Sequence, residues 1–281
     1  MGLRVLPRVL RALNASAPLA LEAAAVSDVG RFRASNQDAA FTAPWGAAVA
    51  DGVGGGPSGD LASAALVHRL AACVHPAGIP DAAALLVRIR EANWDLRAHV
   101  RRDPALTGMS TTFTGLFPAA DGGVLLAHSG DSRGYRLRAG VLTRMTRDDS
   151  YVQVLVDSGL LPADQAATHP RRNIITASLA GGEEDVVSVQ TLDDVRPGDR
   201  WLLCSDGVTD YVPEEEVRRV LEGAAGPAEA ARAIVAAALE AGTRDNATAV
   251  VCDIRDGVPP SLKAVFSGSA AQLFAEDVET A

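Results

Sequence analysis

Residues 46–59 read Gly-Ala-Ala-Val-Ala-Asp-Gly-Val-Gly-Gly-Gly-Pro-Ser-Gly, a short run of small apolar residues that ends in Asp51 and passes into a glycine-rich turn. The apolar run predicts a buried strand. The five glycines within the next eight residues allow positive φ and let a ligand approach the main chain closely. A carboxylate at the end of a buried strand is unfavourable unless a positive charge compensates it. Because no lysine or arginine lies nearby in sequence, we expect a metal ion beside Asp51.

The same arrangement recurs along the chain. Apolar runs end in Asp206 and, after a short turn, in Asp131, and Asp245 stands just before another apolar run. A single Asp-Gly pair usually indicates a turn, but four carboxylates at strand ends can converge on one edge of a sheet structure. The pattern therefore predicts one acidic site assembled from distant parts of the chain.

Composition limits the class of protein. The chain has 281 residues, of which 48% are hydrophobic and 22% charged, as is typical of a soluble globular protein. The net charge of −9 argues against a general nucleic-acid or anionic-membrane surface. The one lysine, Lys263, lies near the C-terminus, which excludes a GKS or GKT phosphate-binding loop. No apolar run approaches the length of a membrane span.

The cysteines indicate a reducing environment. Cys73, Cys204 and Cys252 are odd in number, far apart and in apolar contexts, so we expect buried thiols and a cytoplasmic protein. None is followed by arginine six positions later, so the loop of the cysteine-based phosphatases is missing. Residues 1–18 alternate arginines with apolar residues and predict an amphipathic arm; they make only a weak signal-peptide candidate.

Periodicity predicts one domain of mixed α and antiparallel β structure. The predicted strands are 19–29, 46–51, 109–117, 124–129, 134–143, 186–192, 200–204 and 248–254, and the predicted helices are 58–75, 81–102, 149–159, 214–221 and 228–239. We expect the strands between 108 and 143 to form one antiparallel meander. We assign residues 19–255 to the domain, with an irregular flap at about 147–185, and expect loose order in the tail, 256–281.

One competing motif is present. Residues 54–59 match GxGxxG, but the acidic residue and second strand that a dinucleotide site requires about twenty positions later are missing. The chain also has neither a GxSxG elbow nor an HExxH zinc helix.

Seven ordered motifs resemble those of PP2C-type (PPM) metal-dependent serine/threonine phosphatases, in particular the compact bacterial members. They are Arg33 with Asn36-Gln37-Asp38, Asp51-Gly52-Val53-Gly54-Gly55, Gly108-Met109-Ser110-Thr111-Thr112, Ser129-Gly130-Asp131-Ser132-Arg133-Gly134-Tyr135, His169-Pro170-Arg171-Arg172-Asn173, Leu203-Cys204-Ser205-Asp206-Gly207-Val208 and Asp245-Asn246-Ala247-Thr248. The resemblance covers roughly residues 23–254.

This resemblance implies an α+β fold, a four-layer α-β-β-α sandwich of two antiparallel sheets flanked by helix pairs. It also implies two Mn²⁺ or Mg²⁺ ions at one end, with a hydroxide between them attacking phosphorus. The implied roles are Asp51 bridging both metals, the Gly52 carbonyl binding one, Asp206 and Asp245 holding the other, Asp38 anchoring metal-bound water, Arg33 holding the substrate phosphate and Asp131 serving a third, weaker ion. Oxygen ligands of this kind suit hard cations.

Three residues depart from the family pattern. Gln37 stands where many members have glutamate, which predicts weaker occupancy of one metal. Val53 stands where eukaryotic members carry a histidine general acid, so the leaving group must take its proton from water or another group. Asp149 stands where histidine is common, and the sequence does not indicate what this difference does. His169 is a weak alternative acid because it lies in a structural motif before a proline.

Three functions remain open at this level. The first is an active phosphatase that acts on phosphorylated proteins, opposing a bacterial Ser/Thr kinase or acting on the kinase itself. The second is a catalytically weak domain that binds a phosphorylated partner. The third is a phosphatase of narrow scope that acts on one anti-sigma-factor antagonist or on a small phosphorylated molecule, with the flap setting that choice. Family analogy favours a monomer.

Overall fold

The computed structural model describes residues 19–53, 58–72, 79–120, 122–257 and 263–274, so the predicted N-terminal arm and Cys73 lie outside the described residues. The strands are β1 Leu19–Asp28, β2 Asp38–Ala43, β3 Gly46–Asp51, β4 Phe113–Pro118, β5 Val124–Ser129, β6 Arg133–Arg138, β7 Val141–Arg144, β8 Ser188–Leu192, β9 Arg200–Cys204, β10 Ala247–Asp256 and β11 Val265–Gly268. The helices are α1 Gly59–Ala72, α2 Ala82–Arg102, α3 Tyr151–Asp157, α4 Asp206–Thr209, α5 Glu214–Gly223, α6 Pro227–Glu240 and α7 Ser269–Leu273, with short 3-10 turns at Pro104–Leu106 and Ala163–Thr168.

The strands form two antiparallel sheets. One has five strands in the order β1-β10-β9-β6-β7, and the other has six in the order β11-β2-β3-β4-β5-β8. Helices α1 and α2 cover the outer face of the six-stranded sheet, and α5 and α6 cover that of the five-stranded sheet. The two inner faces pack on each other around Trp201, Leu116 and Val250. The predicted four-layer sandwich is therefore confirmed.

Strand β3 shows why four consecutive residues, 47–50, are all apolar. Ala47 and Val49 face the other sheet, whereas Ala48 and Ala50 face the helices. Side chains alternate across a strand, so a strand covered on both sides buries both sets. Small residues let the helical layer approach closely on one side.

Helix α2 begins where its sequence predicts. Asp81 is extended, and its side chain accepts a hydrogen bond from the Ala84 N–H at 2.8 Å. An acceptor at this position satisfies one of the unpaired N–H groups of the first turn and typically stabilises a helix by about 1 kcal/mol. Leu85, Ile89 and Leu96 then recur at helical spacing on the buried face.

The predicted single meander between 108 and 143 is wrong. Strands β4 and β5 pair in the six-stranded sheet, whereas β6 and β7 pair in the five-stranded sheet. The chain crosses between the sheets at residues 130–132, because the outer faces of β5 and β6 are covered by different helix pairs. This crossing carries Asp131 to the end of the sandwich.

The expectation of loose order in the tail is wrong for Val265–Leu273. Strand β11 pairs antiparallel with β2, and α7 follows it directly. The four residues of β11 are too few for periodicity to indicate a strand, and only their pairing with β2 defines one. Among the helices that the structure describes, none has both the length and the apolar character that crossing a lipid bilayer requires.

Candidate active site

Five aspartates lie at strand ends where the two sheets meet. Asp38 begins β2 and stands directly opposite Asp51, the last residue of β3. Asp131 lies in the crossing between the sheets, Asp206 follows β9 and Asp245 precedes β10. The structure therefore brings together all five aspartates that the sequence analysis selected, and the pKa shifts described below include repulsion among them.

Asp38 is held by the opposite sheet. Its carboxylate is buried, and one oxygen, Oδ2, accepts hydrogen bonds from the Ser205 hydroxyl at 2.7 Å and the Thr248 hydroxyl at 2.6 Å. The other oxygen, Oδ1, is buried and has no hydrogen-bond partner among the described residues. Burial raises the pKa of Asp38 to about 6, although the two hydroxyl groups oppose that shift. The free oxygen is thus the one available to a ligand.

The turn after β3 is fixed through its main chain. The Asp51 N–H donates to the Thr112 hydroxyl at 3.0 Å, and the Gly52 N–H donates to the Gln37 carbonyl at 3.0 Å. A Cβ on Gly52 would stand 2.2 Å from the Gly59 carbonyl oxygen, so no larger residue fits. Burial, followed by the negative charges of Asp38 and Asp206, raises the pKa of Asp51 well above its usual value.

Asp131 and Asp206 line one cavity of about 290 Å³. The Asp206 Oδ1 atom is buried and has no partner in the described part of the chain. Burial, followed by the charge of Asp131, raises the pKa of Asp206 well above its usual value. Burial, followed by the charge of Asp148, raises the pKa of Asp131 to about 7. A nearby positive charge would therefore favour the ionised form of both carboxyl groups.

These residues fit a divalent cation. Unpartnered buried oxygens on Asp38 and Asp206 are unfavourable unless a cation or water contacts them. An all-oxygen donor set suits Mg²⁺ or Mn²⁺ better than zinc. Within the described ranges, no three His, Cys, Asp or Glu side chains converge closely enough to enclose an ion alone. An ion here would therefore also take main-chain carbonyl or water ligands.

Arg33 lies at the rim of the site. Its Nη2 donates to Asp245 Oδ2 at 2.6 Å, and both residues line a second cavity, of about 230 Å³, together with Asp206. Asn246 holds the loop that carries Arg33: it accepts from the Gln37 N–H at 2.8 Å and donates to the Val29 and Ser35 carbonyls at 2.9 and 3.0 Å. A guanidinium beside the carboxylates provides an anion-binding group at this edge.

The comparisons with known proteins agree with this geometry. Residues 33–241 match the model of the protein phosphatase 2C family, which is most of the chain. The chain belongs to the protein phosphatase 2C family. Serine/threonine protein phosphatase PstP of Mycobacterium tuberculosis is 39% identical over 260 residues, covering 91% of this chain and 50% of that protein. The chain thus spans about half the length of this relative.

One further relative and one solved structure are also similar to this chain. Serine/threonine phosphatase stp of Listeria monocytogenes is 34% identical over 216 residues, covering 73% of this chain and 82% of that protein. The solved catalytic domain of PstP in complex with two manganese ions is 38% identical, with a TM-score of 0.74, and the match covers 85% of this chain and 100% of that one.

The sequence analysis did not identify the residues that hold Asp38 and the loop of Arg33 in position. Ser205 and Asn246 stand next to predicted ligands, and Thr248 lies in the same motif as Asp245, which was the available signal. Their hydrogen-bond partners lie far away in sequence. The structure also explains Asp149: its carboxylate accepts from the Gly130 N–H at 3.0 Å and so holds the turn before Asp131. His169 lines neither cavity at the aspartates, so it stays a weak candidate for the acid.

Proposed function

We propose that this chain is a metal-dependent phosphatase that hydrolyses phosphoserine and phosphothreonine on proteins. The observation that carries the proposal is the pair of buried, unpartnered oxygens on Asp38 and Asp206, within five aspartates and beside Arg33. The names of the relatives, serine/threonine phosphatases at 34–39% identity, support the reaction class.

The proposed cofactor is Mn²⁺ or Mg²⁺, as two ions with a weaker third. Asp51 would bridge the two ions, the Gly52 carbonyl would bind one, and Asp206 and Asp245 would bind the other. Asp131 would serve the third ion. The two manganese ions in the PstP catalytic domain support this assignment. When bound, such ions supply Lewis acidity, which acidifies water and offsets charge that develops on phosphoryl oxygens.

Two residues of the chain would orient the reactants. Asp38 has one oxygen fixed by two hydroxyl groups and one oxygen free, so it can accept a hydrogen bond from water and direct that water towards phosphorus. Arg33 uses a single N–H group on Asp245. Because a guanidinium has five N–H donors, the others remain for the phosphoryl oxygens of the substrate.

We further propose that the substrates are targets of a bacterial Ser/Thr kinase, or the kinase itself. The cavity of about 290 Å³ lies between Asp206 and flap residues such as Gln153 and Arg172, which supports a role of the flap in substrate choice. Cys204 and Cys252 are free and buried, which supports a reducing compartment and the proposed cytoplasmic location. The monomeric state stays a prediction.

Asp206→Asn tests the proposed reaction. The change keeps the side-chain volume but removes the negative charge, so turnover of p-nitrophenyl phosphate and of a phosphothreonine peptide should fall by about a hundredfold or more in Mn²⁺. Asp95→Asn, on the exposed face of α2, is the matched control and should retain wild-type turnover.

Two outcomes decide between the functions. The phosphatase is supported if the wild type and the control turn over both substrates only with Mn²⁺ and Asp206→Asn loses this turnover. Mn²⁺ binding without turnover of either substrate in the wild type would contradict it and favour a domain that binds phosphorylated partners.

A further inference from the structure

The C-terminal segment Val265–Leu273 packs against β2, the strand that begins with Asp38. Strand β11 pairs with β2 so that Gly268, its last residue, stands opposite Ala39, the neighbour of Asp38. The family match ends at residue 241 and does not include this segment. The pairing therefore places the start of α7 against the strand that carries Asp38.

Gly268 allows this close approach. It has φ +67° and ψ −144°, in the region that favours glycine. A Cβ at this position would stand 2.2 Å from the Asp38 carbonyl oxygen and 2.9 Å from the Ser27 hydroxyl. The turn from β11 into α7 can therefore contact the main chain of Asp38 only because residue 268 has no side chain.

Ser269 uses this approach to bind Asp38. Its side chain is buried, and its hydroxyl donates to the Asp38 carbonyl at 3.0 Å. The Ser63 hydroxyl of α1 lies 3.0 Å from that of Ser269 and donates to the Gln37 carbonyl at 2.6 Å. Two buried hydroxyl groups thus hold consecutive carbonyls at the start of β2, where an unpaired buried carbonyl would be unfavourable.

His68 fixes the segment to α1. Its Nε2 donates to the Ala270 carbonyl at 2.7 Å, and its ring stacks on Phe266 with ring centroids 3.9 Å apart. Phe274 packs on the same imidazole, with centroids 4.8 Å apart. These contacts hold Ser269 in place without touching Asp38.

We propose that Ser269 is a positioning residue for Asp38, and that docking of Val265–Leu273 sets the affinity of the acidic site for its divalent cation. The inference rests on the proposed function. The Asp38 side chain is held from the five-stranded sheet by Ser205 and Thr248, and its main chain is held from the C-terminal segment by Ser269. Together these bonds fix the position of a carboxylate whose other oxygen, Oδ1, is buried and has no partner among the described residues. Groups that orient a side chain of a metal site in this way strongly influence the affinity of the site for the metal.

Ser269→Ala in the full chain tests the proposal. Mn²⁺ binding to metal-stripped protein, measured by calorimetry, should weaken by about tenfold, because the Asp38 carbonyl loses its donor. Ser267→Ala is the matched control: Ser267 lies two residues earlier, on β11 and opposite Ala40, and this variant should bind Mn²⁺ as the wild type does. Turnover of p-nitrophenyl phosphate should need correspondingly more Mn²⁺ to reach its maximum.

Thermal unfolding in EDTA separates positioning from a purely structural role. A lower melting temperature with unchanged Mn²⁺ affinity would overturn the proposal. If Ser269→Ala does not fold, His68→Ala, which loosens the same segment, should weaken Mn²⁺ binding, and unchanged binding would again overturn it. A wild type that binds no Mn²⁺ would defeat the proposed function as well, whereas binding that neither variant alters defeats this inference alone.

Discussion

At the scale of the residue, Gln37 connects several parts of the site through its main chain. Its N–H donates to Asn246, and its carbonyl accepts from Gly52 and from Ser63. Its neutral side chain lies beside Gly59, the first residue of α1. A carboxylate there would add a negative charge near both the acidic site and the N-terminus of a helix, which favours anions.

Gln37→Glu should therefore tighten Mn²⁺ binding by about three- to tenfold, since the added charge attracts the cation. Calorimetric titration with Mn²⁺ measures the change. Gln190→Glu adds the same charge on exposed β8 and serves as the control. Equal Mn²⁺ affinity in Gln37→Glu and the wild type would contradict the role assigned to the glutamine.

At the scale of the element, the flap is attached to the site by Asp149. Its carboxylate accepts from the Gly130 N–H, its own N–H donates to the Gly130 carbonyl at 2.7 Å, and its carbonyl accepts from the Thr176 N–H at 2.8 Å. At the far end of the flap, Asn93 of α2 accepts from the Gly181 N–H at 2.8 Å. Both ends of the flap are thus tied to regular structure.

Asp149→Ala should reduce the free energy of unfolding by about 1–3 kcal/mol, because the Gly130 N–H loses a charged acceptor. Asp149→Asn keeps an acceptor oxygen and should recover part of that loss. Urea unfolding of the metal-free protein measures both variants. If Asp149→Ala is as stable as the wild type, the carboxylate does not hold the turn.

At the scale of the whole molecule, the acidic site opposes the stability of the metal-free fold. Burial raises the pKa of Asp38 to about 6 and that of Asp131 to about 7, above the unfolded value of about 3.9. A carboxyl group with a raised folded pKa stabilises the fold fully below its unfolded pKa. This contribution is lost as pH rises through the folded pKa.

The melting temperature in EDTA should therefore fall between about pH 4 and pH 7, and the increase caused by Mn²⁺ should grow over the same range, because protons and cations compete for the same carboxylates. Scanning calorimetry at several pH values, with and without Mn²⁺, measures both trends. An effect of Mn²⁺ that does not depend on pH would contradict this account.

The sequence by itself determined many of the elements and the acidic residues, but not β2, β11 or α7. Strands β3 and β9 have the predicted bounds because their apolar runs are short, continuous and ended by a polar residue. Asp51 and Asp206 stand out for a similar local reason, since Asp51 ends such a run and Asp206 follows one after a single serine.

Only the tertiary structure decided how these parts meet. The hydroxyl groups that hold Asp38 come from residues 167, 210 and 231 positions away, and no local pattern carries such pairings. The division of β5 and β6 between two sheets and the docking of β11 are likewise set by which faces pack together. Local periodicity reflects burial of a segment, whereas the choice of partner depends on contacts between segments that the chain brings together only when it folds.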